Sequence, residues 1–361
     1  MQVLVVNAGS SSLKLRLLGE GVEAIASADL PADARDSAFT GELVRFGPID
    51  AVGHRIVHGG TEFREPVVVD DHIVERIAAL AELAPLHQPA AVAALRAARA
   101  ALADVPHVAC FDTAFHASLP PAAATYALPA AWRERFGLRR FGFHGLSHAY
   151  ASRRAAELLG RPEEELRTIT CHLGAGASLA AVRGGRSVDT TMGFTPLEGL
   201  VMATRSGSVD PGLLIWLQRQ AGLSVDELAE GLEEHSGLAG LAGTPDMREV
   251  LRRAGDGDAS AVLARDVYVH RLSAGIAAMA AALGRVDTVV FTGGIGENAA
   301  EIRERSLAGV PFLAVELDAE ANARGSGDRV IGLAGDSSTR ALVVSSREDL
   351  EIARQVRAVI A

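Results

Sequence analysis

The 361-residue chain is 48% hydrophobic and 22% charged, a globular composition whose length favours two domains over one. A net charge of −10 without a basic block argues against nucleic acid as a partner. No cationic n-region precedes an apolar h-region, and the most apolar helix-like stretch, Ala274 to Leu283, is too short to span a bilayer. Cys110 and Cys171 lie far apart in apolar runs and read as buried free thiols of a reducing compartment, so a cytoplasmic protein without membrane partners is expected.

The apolar run Val3 to Val6 stops at Asn7, small residues follow to Ser12, and Leu13, Leu15 and Leu17 then alternate with Lys14 and Arg16. This pattern predicts strand, tight loop, strand, and backbone N–H groups in such a loop surround oxyanions. Lys14 is the only lysine among 35 basic residues; its compact charge with three rotatable donors can serve a tight phosphate site that the wide fork of arginine would crowd, the alternative being an ordinary surface lysine. Residues 19 to 48 read as mixed and turn-rich. Asp50 to Val57 predicts a strand ending at His58-Gly59-Gly60, and Asp71 to Leu83 a helix capped by Asp70 or Asp71. A loop between Pro85 and Pro89 leads into an alanine-rich helix ending near Ala103, and His107 to Phe111 reads as a buried strand ending at Asp112-Thr113.

Residues 117 to 143 read as a connection into a second domain, and Gly145 to Leu159 as a helix stopped by Gly160. Thr168 to His172 predicts a strand, followed by the loop Leu173 to Ser178, a second strand to Val182 and a Gly184-Gly185 turn. Residues 186 to 211 read as mostly irregular. Helices are expected over about 209 to 220, 224 to 234 and 258 to 283. Asp287 to Phe291 reads as a strand, Thr292 to Glu297 as a glycine turn, and Asn298 to Leu307 as a helix. Leu342 to Ser345 and Asp349 to Ile360 read as the last strand and helix. Asn7 to Leu17 and Leu173 to Val182 share one strand–loop–strand pattern, which suggests two similar α/β halves.

Polar residues cluster where strands end, at Asn7 to Lys14, Asp112 to His116, His172 to Ser178 and Thr292 to Asn298; ligands of open α/β sheets bind at such ends. Gly293-Gly294-Ile295-Gly296-Glu297 lies between strand and helix and attracts anions or a nucleotide, although it is neither GxGxxG nor a Walker loop. The His54/His58 and His144/His148 spacings invite a zinc site, but the metalloprotease glutamate is missing and no cysteine is near; these histidines read as donors to anions or as packing beside a cleft. Arg55 interrupts an apolar strand and so needs an anionic partner, in a geometry that suits a bidentate clamp. Arg205 sits in a Thr-Arg-Ser-Gly loop.

Taken together, residues 6–14, 53–60, 111–116, 141–148, 189–200, 204–207 and 293–298 resemble the signatures of the acetate kinase family, within the superfamily of acetate and sugar kinases, Hsp70 and actin. The resemblance covers nearly the whole chain. It implies an α/β, two-domain actin-like ATPase (ribonuclease H-like) fold with a duplicated βββαβαβα core. The first domain would span residues 1–116 plus 349–361, and the second residues 117–348. It implies reversible transfer of a phosphoryl group from ATP to a short carboxylate with Mg²⁺, or Mn²⁺, and a homodimer.

By position, Asn7 and Glu348 resemble the magnesium-site residues. Lys14, His172, Leu173, Gly174, Ala175, Gly176, Asp246, Met247, Arg248, Gly293, Gly294, Ile295, Gly296 and Glu297 resemble the ATP contacts. Arg55 resembles the carboxylate clamp, and Val57, Leu86, Phe143 and Pro196 the apolar contacts of the acyl methyl. His144 and Arg205 resemble the stabilisers of the transferring phosphoryl group. Asp112 matches the residue usually named the acid/base. A carboxylate acceptor, with a pKa of about 4, is already ionised at neutral pH; Asp112 is therefore read as orienting Arg55, Arg205 or a magnesium-bound water.

Departures from the family pattern are Ala175 for Asn, Ser208 for Asp, Gln88 for Asn and Ser346-Arg347 for Thr-Asn, with a shortened stretch between Ser12 and Arg55. Ala175 raises pyrophosphate as an alternative donor, and the retained Asp246-Met247-Arg248 favours ATP. Acetate and propionate differ by one methylene, worth only about 1–3 kcal/mol in a pocket. A non-enzymatic nucleotide-gated protein of the actin or Hsp70 type is the alternative of a different class.

Overall fold

A computed structural model describes residues 1–8, 12–31, 36–85, 88–333 and 339–361. The chain forms two compact units. One comprises Met1–Ala117, Phe143–Tyr150 and Arg347–Ala361; the other comprises Ser118–Gly142 and Ala151–Ser346. The segment Phe143–Tyr150, counted with the second domain on sequence, packs with the first unit, where Leu146 joins its core.

In the first unit the strands are β1 (Val3–Ala8), β2 (Ser12–Leu18), β3 (Ala24–Pro31), β4 (Ala51–Ile56), β5 (Val67–Val68) and β6 (His107–Phe111). Their order is β3-β2-β1-β4-β6-β5. β1, β4 and β6 run parallel, whereas β2, β3 and β5 pair antiparallel to their neighbours. The period of two explains the composition of β1. Leu4 and Val6 pack with Phe39, Leu43 and Phe46 of the helix Asp36–Phe46 on one face. Val3 and Val5 pack with Ile352, Ala353 and Val356 of the helix Glu348–Ile360 on the other. A strand covered on both faces is apolar at every position. In β2, Leu13, Leu15 and Leu17 face the first of these cores while Lys14 is exposed.

Residues 19 to 48 are more regular than their composition suggests. β3 is an outer strand with no fully buried residue, and Phe39, Leu43 and Phe46 form a helical stripe at i, i+4 and i+7. Asp70 caps the helix Asp71–Ala79 by accepting the Ile73 N–H at 2.7 Å. The loop residues Gly9, Ser10 and Ser11 lie outside the described residues. At Gly53 of β4 an added Cβ would run into the methyls of Ile352 and Val356. This close approach seats the C-terminal helix, whose first residue is Glu348.

The second unit repeats the plan with β7 (Arg167–Leu173), β8 (Ala177–Arg183), β9 (Arg186–Thr190), β10 (Thr288–Thr292), β11 (Arg329–Val330) and β12 (Arg340–Val343). From its β9 edge the sheet reads β9-β8-β7-β10-β12-β11, the order and strand senses of the first sheet position by position. The two strand–loop–strand patterns of the sequence thus occupy equivalent places, β1–β2 and β7–β8. Helix Ala259–Leu283, capped by Asp258, packs Gly275 against Leu179 of β8. The stretch Thr292 to Glu297, expected as a turn, is instead a helical turn, Gly293–Asn298, running through Ala299 into Ala300–Ala308. Gly293 starts it at φ +79°, pressed against the Leu173 backbone where a Cβ would collide. Among the described residues no helix is long and apolar enough to cross a membrane.

Candidate active site

In the first unit the predicted residues gather at the carboxyl ends of the three parallel strands. Asn7 lies near the end of β1 and Arg55 near the end of β4. Asp112 follows β6 and extends the ladder by donating its N–H to Ile56 at 2.9 Å. Arg55 grips Asp112 with two bonds, Nη2 to Oδ2 at 2.6 Å and Nε to Oδ1 at 3.1 Å, so the arginine that interrupts an apolar strand meets its anion. Arg55 Nη1 also donates to Asn7 Oδ1 at 3.3 Å, and Asn7 Nδ2 donates to Glu348 Oε2 at 3.2 Å. Glu348 Oε2 lies 3.6 Å from Arg55 Nε.

Burial sharpens the electrostatics of this group. The Asp112 side chain is 1% exposed and that of Arg55 16%. Burial pulls the Arg55 guanidinium down, but the Asp112 and Glu348 carboxylates outweigh it and hold its pKa above the ordinary value. Burial pushes the Asp112 carboxyl up against the pull of Arg55, and Glu348 adds to the rise. Two carboxylates, those of Asp112 and Glu348, face the Arg55 guanidinium.

His144 takes the left-handed region at φ +56°, a conformation that costs a non-glycine residue and collects at functional sites. Its backbone N–H bonds to the Asp112 carboxylate. The next N–H, of Gly145, donates to the Asp112 carbonyl at 3.0 Å, and a Cβ there would collide with that oxygen and with Phe115. Val57 and Phe143 are buried in the same unit, Phe143 with its ring edge on His58 at 5.4 Å between centroids. Leu86 lies outside the described residues. Lys14 stands opposite Asn7 in the β1–β2 register.

The His54/His58 pair of the sequence parts company, while the His148 N–H donates to the His144 carbonyl at 2.9 Å. His54 stacks on His107 with Nε2 and Nδ1 2.9 Å apart, and His58 Nδ1 accepts the Gly60 N–H at 2.9 Å.

The second unit holds a cavity of about 830 Å³, the size of a small-molecule site. Of the residues expected at a nucleotide, Gly174, Ala175, Asp246, Met247, Arg248, Gly294 and Ile295 line it. His172, Leu173, Gly176, Gly293, Gly296 and Glu297 do not. Glu297 turns inward, its Oε1 accepting the N–H groups of Gly293 at 3.1 Å and Ser346 at 2.9 Å. Asp246 caps the helix Met247–Gly255, and Arg248 pairs back onto it at 2.7 Å.

Sequence reading missed Ala203, Pro245, Leu251 and Ala299 in the lining, and placed Asn298 in a polar cluster without counting it among the ATP contacts. Leu251 was within reach, one helical turn beyond Met247. It also missed Arg303. This arginine, 1% exposed, donates to the carbonyls of Gly296 at 2.8 Å and Glu297 at 3.0 Å and to Asn322 Oδ1 at 2.8 Å, so it braces the Gly293–Asn298 turn. Burial lowers its pKa to about 10. Arg205 is partly buried, its pKa pulled down by burial against Glu233, and its Nη1 reaches the Pro196 carbonyl at 3.5 Å.

Two sheets of one topology, each with its polar residues at strand ends, define an α/β protein of the actin-like ATPase class. A putative N-acetylmannosamine kinase from Listeria monocytogenes, at TM-score 0.52 and 12% identity over 99% of each chain, shares that fold. The chain belongs to the Acetokinase family, whose model matches residues 43–354. Acetate kinase of Leifsonia xyli is 49% identical over 99% of both chains, and that of Deinococcus radiodurans 48% identical over 100% of this chain and 98% of its own. Among solved structures, Porphyromonas gingivalis acetate kinase superposes with TM-score 0.92 at 35% identity over 100% of both chains. A propionate kinase from Francisella tularensis superposes with TM-score 0.91, also at 35%, over 99% of both.

Proposed function

We propose that the chain transfers the γ-phosphoryl group of ATP reversibly and directly, in line, to acetate, giving acetyl phosphate and ADP. The observation that carries the reading is the buried two-bond pair of Arg55 with Asp112 at the strand ends, inside a chain 45–49% identical to three acetate kinases over nearly its full length. Asp112 fixes the plane of the guanidinium, and a guanidinium so held can turn its remaining N–H groups to a carboxylate. Phosphoryl transfer asks for alignment and for positive charge around the equatorial oxygens, with little covalent help. Arg205 and His144 are proposed to supply that field, and Val57, Leu86, Phe143 and Pro196 the contacts of the acyl methyl.

The apolar side chains of Met247, Leu251 and Ile295 around the cavity suit a nucleoside better than pyrophosphate, which supports ATP as donor despite Ala175. Lys14, His172, Leu173, Gly176, Gly293, Gly296 and Glu297 are proposed as further ATP contacts on the family resemblance. Asn7 Oδ1 and the Glu348 carboxylate, joined by one hydrogen bond, are the hard oxygen donors that Mg²⁺, or Mn²⁺, takes. When bound, such an ion supplies charge neutralisation at the phosphate oxygens. A homodimer is part of the proposal, supported by the exposed Leu213, Ile215 and Trp216 of helix Pro211–Arg219; sedimentation of the purified chain as a monomer would end that part.

The reading predicts hydroxamate from acetate, ATP, Mg²⁺ and hydroxylamine, less of it from propionate, and none when pyrophosphate replaces ATP. No hydroxamate from any short carboxylate with ATP would sink it, and would favour the non-enzymatic actin- or Hsp70-type alternative. Product from pyrophosphate alone would move the donor assignment.

A further inference from the structure

The segment 191–199 of the second unit has no regular structure, yet it is pinned at both ends. Arg140 donates from Nη1 to the carbonyls of Thr191 at 3.0 Å and Met192 at 2.9 Å, and from Nη2 to Glu198 Oε1 at 2.6 Å. Tyr126 donates its hydroxyl to Glu198 Oε2 at 2.6 Å and accepts the Phe194 N–H at 2.8 Å. The Arg140 guanidinium lies over the Tyr126 ring, 5.5 Å from its centroid. The Gly193 carbonyl accepts the N–H groups of Phe141 and Gly142 at 3.0 and 3.2 Å. A Cβ on Gly193 would overlap Glu198 and the Tyr126 hydroxyl, so the network closes tightly on the backbone. Beyond it, Ser208, which departs from the family pattern, accepts the Gly199 N–H at 3.1 Å and donates its own N–H to Gly199 at 2.9 Å. Burial and the Glu198 carboxylate push the Tyr126 hydroxyl above its ordinary pKa, which keeps it a donor.

Between these anchors stands the short arch Thr195–Pro196–Leu197, and Arg205 Nη1 reaches the Pro196 carbonyl at 3.5 Å. We propose that Tyr126, Arg140 and Glu198 are positioning residues that hold this arch, and through it the Pro196 ring and the Arg205 guanidinium, and thereby tune selectivity for acyl chain length. The inference rests on the acetate-phosphorylating reading for its selectivity part and on geometry alone for the lock. None of the three side chains is assigned to bind substrate. Their effect passes through the arch.

Tyr126→Phe removes only the hydroxyl. It leaves the Phe194 N–H without its acceptor and one Glu198 oxygen without its donor. The variant is expected to raise hydrogen exchange at the Gly193–Phe194 amides by about tenfold, the factor that goes with losing one to two ordinary hydrogen bonds. Its KM for acetate should rise by about the same factor, its acetate-to-propionate kcat/KM ratio should fall, and its KM for ATP should stay at the wild-type value. Glu198→Gln retains hydrogen-bonding atoms toward both partners and should fall between wild type and Glu198→Ala, which also supplies a reading if one variant does not fold. Unchanged amide exchange in folded Tyr126→Phe overturns the lock. An equal loss of kcat/KM for acetate, propionate and ATP overturns the selectivity role, since a merely structural part would act that way. If the wild type phosphorylates neither acid, the proposed function has failed, and amide exchange still decides the lock.

Discussion

Arg55→Ala is expected to cost both activity and fold. Removing one partner of a buried ion pair destabilises by about 3–5 kcal/mol, because the other charge is left uncompensated. Here the abandoned group is Asp112, whose side chain is 1% exposed. With the guanidinium gone, burial and the Glu348 carboxylate both push the Asp112 carboxyl upward, so the variant should take up a proton there. On the proposed clamp role the acceptor carboxylate also loses its charged partner, a loss of about 2–5 kcal/mol that should lower kcat/KM for acetate by about 10²–10³. Arg55→Lys separates the two effects. An ammonium restores a charge beside Asp112 but cannot donate two parallel bonds to one carboxylate and still reach a second anion. It should recover much of the stability and little of the activity. Urea melts at neutral pH and a coupled assay for ADP read the two quantities. A folded Arg55→Ala protein with kcat/KM for acetate near wild type would remove Arg55 from the chemistry. Asp112→Asn with unchanged turnover would do the same for its neighbour.

Why Arg55 could be singled out on sequence, and other residues could not, follows from the range of the interactions involved. An arginine between Val52 and Ile56 announces a missing anion locally, because the strand around it is buried. The uninterrupted apolar run of β1 likewise announces a strand covered on both faces. The helix Asp36–Phe46 has its signal in the spacing of Phe39, Leu43 and Phe46, but three apolar residues in a polar, turn-rich stretch did not outweigh their surroundings. The left-handed His144 leaves no mark of its own, since nothing about a histidine requires φ +56°. The position is forced by Gly145 and by the backbone bonds to Asp112. Glu198 lies in the 189–200 signature, but nothing in the sequence around it, or around Arg303 and Tyr126, names a partner. Their partners are brought to them only by the tertiary fold, Asn322 to Arg303 and Phe194 to Tyr126. The roles of Asn7, Glu348 and Asp246 came from resemblance. Geometry adds that the first two touch each other, while Asp246 both caps a helix and lines the cavity of the second unit.

The same packing that fixes the first unit makes it sensitive to acid. His54, His107 and His116 are buried there, and burial is the leading cause that lowers all three pKa values, His116 to about 4. For His54 the neighbouring His107 and Arg99 add to the fall. The bonding agrees with neutral rings. His107 Nε2 faces the Leu102 carbonyl at 3.0 Å, and His116 Nε2 the Phe143 carbonyl at 3.0 Å. Both nitrogens are therefore donors. His107 Nδ1 is left to accept from His54 Nε2.

The sign follows from which state binds the proton. Below the ordinary value of 6.5 the unfolded chain protonates these rings and the folded one does not, so stability is full above about pH 6.5 and drains away as the pH falls. For His116 a fall from 6.5 to about 4 corresponds to about 3 kcal/mol, complete near pH 4. His54 and His107 act in the same direction. Between pH 6.5 and 5 few carboxylates titrate, so the slope of the urea midpoint in that window reports the histidines. His116→Asn, whose amide can still donate to the Phe143 carbonyl, should flatten that slope and raise stability at pH 5 relative to pH 7.5. A wild-type midpoint that does not move between pH 7.5 and 5, or a variant that follows the wild-type curve, would mean that these rings are protonated in the folded chain. The Phe143 carbonyl, next to the strained His144, would then be facing a charge rather than a neutral N–H.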